Sequence, residues 1–201
     1  MSKPALVNPT RIRPLMLFWH LLAGAFASLS LPPLFLLPAI FALSIPLLAY
    51  LKAESRMQAS MIFGVAGAGW FLASTYWVSH SLIVETPSLW GLAPFMALAL
   101  SLILALFWAS AAMVSWSFGW RPVARLFWFV AFFSLGEWAR GFVATGFPWN
   151  LTGSLFAVDL ASLQAASAIG AYGLCVIALF FALVPAFWVL GHRRFAAIFL
   201  I

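Results

Sequence analysis

Glu137 and Arg140 are the residues of this 201-residue chain whose type and spacing most invite chemistry. They fall late in an apolar run that opens at Pro122, and an i, i+3 separation sets both on one helix face. At about 1.5 Å per residue they lie roughly 22 and 27 Å along that helix, near the far edge of a hydrocarbon layer about 30 Å thick. Charges at such depth are costly and usually paired. Two readings are open for them. One is a structural ion pair tying the helix end to the next loop. The other is a contact site, in which Arg140 holds a lipid phosphate or a neighbouring domain. Gly141, Gly146 and Pro148 then stop the helix and permit a tight loop that carries Thr145, Phe147 and Trp149. Tyr76 and Trp77, close to Trp70 and His80, form a second aromatic group at the end of an earlier apolar run. Both groups also read as interfacial belts. The single cysteine, Cys175, has no base or cation near it in sequence and reads as a packing residue rather than a nucleophile. No metal site and no cofactor are expected, since no His or Cys cluster has ligand spacing.

The elements that position these residues follow from composition. Hydrophobic residues make up 66% of the chain, charged residues 7%, and mean hydropathy is +1.10. A soluble domain carries roughly 25% charged residues, so a cytosolic enzyme and a disulfide-stapled secreted domain are both excluded. The net charge of +6 comes from residues scattered singly rather than in a stripe, which argues against nucleic acid as a partner. The expected fold is an all-α polytopic membrane protein with six transmembrane helices plus the start of a seventh. Residues 1–14 form a cytoplasmic N-terminus. The transmembrane domain covers 15–194, with spans at about 15–31, 34–51, 57–79, 89–118, 122–143 and 163–190, and 195–201 reads as a truncated seventh span. Pro32-Pro33 marks the turn of the first hairpin, with Pro38 and Pro46 kinking its second arm. Trp116 and Trp120 mark an interface, and Gly64, Ala68, Gly170 and Gly173 read as close-packing positions. With a cytoplasmic N-terminus, six crossings put nine of the ten Lys and Arg residues inside and only Arg140 outside. A small transporter is disfavoured, because no charge falls near the middle of a span.

The run Glu137-Trp138-Ala139-Arg140-Gly141, followed by Thr145-Gly146-Phe147-Pro148-Trp149, resembles the apolipoprotein N-acyltransferase family. Tyr76-Trp77-Val78-Ser79, the stretch from Gln164 to Gly173 and the Pro32-Pro33 hairpin are similar to the same family, so the likeness covers essentially the whole chain. The resemblance implies a multi-pass protein of the bacterial inner membrane that acts in lipoprotein maturation. Its partners would be a phospholipid acyl donor and a diacylglyceryl lipoprotein. It further implies ping-pong chemistry through a cysteine thioester, on a Glu-Lys-Cys triad in a periplasmic nitrilase-like domain that follows the seventh span. No residue here maps onto that triad: the only lysines are Lys3 and Lys52, and the only cysteine is Cys175. The chain is therefore expected to be a truncated membrane region, inactive alone. The alternative is a non-enzymatic lipid-binding module, or a scaffold for a separately encoded nitrilase-like subunit. Candidate lipid- or domain-contacting residues are Glu137, Arg140, Thr145, Phe147, Pro148, Trp149, Tyr76 and Trp77, with no catalytic residue among them.

Overall fold

A computed structural model describes residues 13–119 and 121–199; Lys3, Arg11 and Trp120 lie outside the described residues. The described residues are helical and contain no strand. In a lipid-like sequence this is the expected solution, because a helix satisfies its backbone polar groups internally. The helices are α1 (Pro14–Ala27), α2 (Ser44–Leu51), α3 (Arg56–Thr75), α4 (His80–Glu85), α5 (Ala93–Trp116), α6 (Pro122–Arg140), α7 (Leu160–Gln164), α8 (Ala166–Val189) and α9 (Arg193–Ile198). Three segments are long and apolar enough to cross a membrane, Arg56–Glu85, Pro87–Trp116 and Ala166–Val189. Two shorter apolar segments, Pro14–Ser30 and Leu37–Leu51, precede them. The 19 residues of α6 include Arg125, Glu137 and Arg140.

Packing closes these elements into a ring. α3 lies between α1 and α5, α6 lies between α5 and α8, and the second arm of the first hairpin fills the gap between α8 and α1. Where α1 crosses α3 the backbones nearly touch. A Cβ on Gly24 would meet the Ala66 carbonyl, and one on Gly69 would meet the Leu21 carbonyl, so only glycine admits this approach. A chain of aromatic rings runs through the interior: Tyr50 and Phe63 pack on Phe129, Phe129 on Phe133, Phe133 on Trp108, and Trp108 on Trp70 and Phe71. At one end Tyr50 shares a 2.8 Å hydrogen bond with Ser115. Close by, Arg125 donates to the carbonyls of Gly119 and Leu51 and lies over the Trp116 ring, whose indole donates to Ala53.

Several boundaries differ from the sequence expectation. The second hairpin arm is not one kinked helix over 34–51 but a 3₁₀ stretch, Leu37–Leu43, that runs into α2. Pro38 starts the 3₁₀ stretch and Pro46 sits in the first turn of α2, so neither breaks an established helix. The third run continues past Ser79 to Glu85, the fourth begins at Pro87, and the fifth ends at Arg140 rather than 143. The sixth divides into α7 and α8, and Gly170 (φ 72°) is a break inside α8 rather than a packing contact. Beyond the Gly191 turn, α9 lies back along α8. Phe195 packs on Phe187 and Phe127, Phe199 stacks on Phe180, and Ala196 is buried.

Candidate functional site

Glu137 and Arg140 emerge on the last turn of α6 and point inward, each 1% exposed. Arg140 Nη2 lies 3.1 Å from Glu137 Oε1, and the same oxygen accepts from the Trp108 indole at 3.3 Å. The other carboxylate oxygen accepts from the backbone N–H of Thr152 at 3.0 Å. Arg140 Nη1 donates to the carbonyls of Phe147 (2.8 Å) and Trp149 (2.7 Å), and the guanidinium lies 5.0 Å over the Phe71 ring. Two charges thus answer groups on four segments, α3, α5, α6 and the loop after α6. A buried pair gains only when its remaining donors and acceptors are met, and here Arg140 Nε alone lacks a partner among the described residues. The pair ties the helix end to the following loop.

That loop cannot be held by regular structure, because Ala144 (φ 58°), Gly146 (φ 75°) and Asn150 (φ 54°) occupy the left-handed region. Main-chain and side-chain hydrogen bonds outside any helix hold it instead. Phe147 N–H returns to the Arg140 carbonyl, Asn150 Nδ2 donates to Ser74 O at 2.6 Å, and the Trp70 indole donates to Asn150 O. Trp70 is therefore a fully buried core residue and not an interfacial one. The loop then enters the 3₁₀ stretch Thr152–Val158, which packs on α8 at Gly153, where a Cβ would crowd Cys175 N. Thr152 and Cys175 are both fully buried, and the Cys175 thiol donates to Ala171 O.

The eight singled-out residues therefore divide. Glu137 and Arg140 form the interior of the knot. Thr145, Pro148, Trp149, Tyr76 and Trp77 are exposed around it, with Trp77 edge-on to Trp149 at 6.0 Å, and Phe147 is half-buried. A groove of about 440 Å³ runs between α5 and the loop, lined by Ile103, Leu104, Phe107, Arg140, Thr145 and Phe147. Its walls are apolar enough to take an aliphatic chain. Sequence reasoning passed over Trp108 and Thr152 as partners of the pair, and Asn150 and Ser74 as the contact that ties the loop to α3. One signal was present for Trp108: a tryptophan in mid-helix needs an acceptor for its N–H.

Residues 23–184 match the family model described as the apolipoprotein N-acyltransferase N-terminal domain. Similar curated proteins carry the name apolipoprotein N-acyltransferase. The one from Caulobacter vibrioides is 35% identical over 180 residues, covering 88% of this chain and 34% of the relative. That from Rhizobium etli is 37% identical over 187 residues, covering 86% of this chain and 34% of the relative. That from Rickettsia bellii is 34% identical over 160 residues, covering 80% and 32%. The chain spans about a third of the length of the curated relatives it matches.

Proposed function

The chain belongs to the apolipoprotein N-acyltransferase family, and on that footing we propose that it is the membrane-embedded region of an enzyme that moves an acyl chain from a phospholipid to the N-terminal diacylglyceryl-cysteine of a lipoprotein. The observation that carries this reading is the Glu137–Asn150 motif folded as one knot, which presents Trp149, Trp77 and an apolar groove at a single end of the bundle. Such a platform suits a lipid substrate brought beneath a catalytic domain.

In this reading the protein makes six crossings of the bacterial inner membrane from a cytoplasmic N-terminus, and α9 begins a seventh. Reach supports the two short arms. Leu37–Leu51 combines seven 3₁₀ residues with eight α residues, about 26 Å at rises of ~2.0 and ~1.5 Å. Charge placement supports the orientation. Arg125 touches Leu51, Met16 shares a cavity with Lys52, and Phe195 reaches Phe127. These contacts gather Arg13, Lys52, Arg56, Arg121, Arg125, Arg193 and Arg194 at one end, opposite Arg140.

Among the described residues none is placed to carry the acyl transfer. A thiol that accepts an acyl group must reach both a lipid ester and an amine, and Cys175 is sealed in the core while Lys52 lies at the opposite end. Expression in a strain depleted of its own enzyme tests this. The 201-residue chain alone is expected not to sustain growth, and growth without any added catalytic domain would overturn the proposal. Rescue by a separately expressed nitrilase-like subunit would instead favour the scaffold role.

A further inference from the structure

At the basic end of the bundle α1 and α2 scarcely touch. Their divergence leaves a cavity of about 600 Å³ between α1, α2 and α3, inside the roughly 300–1,000 Å³ range of small-molecule sites. Its walls are apolar: Met16 and Trp19 from α1, Ile45, Leu48 and Ala49 from α2, and Ile62 from α3. Three polar side chains line it as well. Lys52 stands exposed at the mouth. Gln58 is beside it, with Oε1 engaged by the Glu54 N–H, so its amide N–H groups remain as donors. Deeper in, about 9 Å along α1 from Pro14, lies His20, 6% exposed, with Nδ1 lacking a partner among the described residues.

A buried imidazole nitrogen without a hydrogen bond is unfavourable, and native interiors rarely keep one. A cluster of waters is a poor occupant, because six apolar side chains offer it no partners. The combination of a cation and amide donors at the mouth, an aliphatic trough and a polar group part-way down matches an amphiphile with an anionic head. Arg13 and Arg56, exposed at the same end, add to the field that would attract it.

We propose that this cavity seats one anionic glycerophospholipid from the leaflet at the basic end, with its phosphate on Lys52 and Gln58, one acyl chain along the α1–α2 trough and a glycerol-ester oxygen within reach of His20. The site is separate from the acyl-donor platform at the other end and does not rest on the proposed enzymatic role. It is a resident lipid site that fills the gap between the two hairpin arms.

Native mass spectrometry of the full chain in detergent tests the proposal, with palmitoyl-oleoyl phosphatidylglycerol, phosphatidylcholine of the same chains and soluble glycerol phosphate as probes. One phosphatidylglycerol per chain should be retained, phosphatidylcholine about tenfold more weakly, the scale of a charge-assisted hydrogen bond, and glycerol phosphate not at all. Lys52→Gln and the trough-filling Ala49→Trp should each weaken retention, whereas Arg121→Gln at the same end should leave it unchanged. Equal retention of the two lipids, tight binding of glycerol phosphate, or no effect of Lys52→Gln would overturn the proposal. Should Ala49→Trp fail to fold, histidine-selective NMR provides a second reading. His20, His80 and His192 are the only histidines, so in a His80→Gln/His192→Gln background the one imidazole signal should move with phosphatidylglycerol and stay still with phosphatidylcholine. A signal indifferent to both lipids would also overturn it.

Discussion

A guanidinium taken out of water has to find its hydrogen-bond acceptors nearby, and Arg140 finds them on its own helix and on the loop that its helix feeds. Glu137 does the converse, collecting one indole, one amide and the guanidinium. Removing either partner leaves the other charge buried and unanswered. Glu137→Ala and Arg140→Ala are each expected to destabilise the protein by about 3–5 kcal/mol. The double variant should lose much less than the sum, because the two share one network; unfolding midpoints of the four proteins in detergent check both statements. Asp159 shows the same chemistry at the surface. It caps α7, accepting from Ser162 N–H at 2.9 Å and from the Ser162 hydroxyl, and these bonds lower its pKa below the ordinary aspartate value. A depressed carboxylate pKa means the cap is intact above the ordinary value and is lost as pH falls through the lowered one. The Ser162 amide resonance should accordingly titrate below pH 3.8, and Asp159→Asn should abolish that titration. The type and spacing of Glu137 and Arg140 were enough to expect a pair, since i, i+3 geometry is local. Their partners Trp108 and Thr152 lie 29 and 15 residues from Glu137, and no local rule links such positions.

Apolar helices in a bundle like this one differ less in hydrophobicity than in how closely they let a neighbour approach. The α1–α3 crossing depends on Gly24 and Gly69, each with a carbonyl of the other helix where a Cβ would stand. Gly24→Val or Gly69→Val should lower the unfolding midpoint by the equivalent of roughly 1–3 kcal/mol or more through overpacking. Gly91→Ala, with open space around its Cβ position, should stay within about 0.5 kcal/mol. Helix existence was legible in the sequence because long apolar runs admit few other solutions. Helix interruptions were less so. The 3₁₀ form of Leu37–Leu43 and the break at Gly170 are settled by packing against α1 and α8 and by a backbone φ that only glycine takes easily. The short apolar tail after Arg194, expected to open a further span, packs back on α8, where Phe195 and Phe199 meet the Phe180 and Phe187 rings.

At the scale of the whole molecule the helices close a ring, with basic residues collected at one end and the aromatic-rimmed knot at the other. In a Cys175→Ala background, which removes the only cysteine, Lys52→Cys and Arg121→Cys should react only with membrane-permeant maleimide. Trp149→Cys and Val84→Cys should react with the impermeant reagent in intact spheroplasts. Labelling of position 52 from outside would reverse the proposed orientation. Composition and the spacing of basic residues by themselves determined a lipid-embedded helical chain, its approximate runs and its charge asymmetry, because transfer into hydrocarbon depends on summed residue types along each segment. Only the tertiary structure decided that Glu137 and Arg140 are sealed by Trp108, Phe71 and Thr152, that Trp70 is interior while Trp77 and Trp149 are at the surface, and that His20, Lys52 and Gln58 line one cavity. The physical reason is that burial in a bundle is set by which helix faces which, a property of pairs of distant segments that no single run of residues contains.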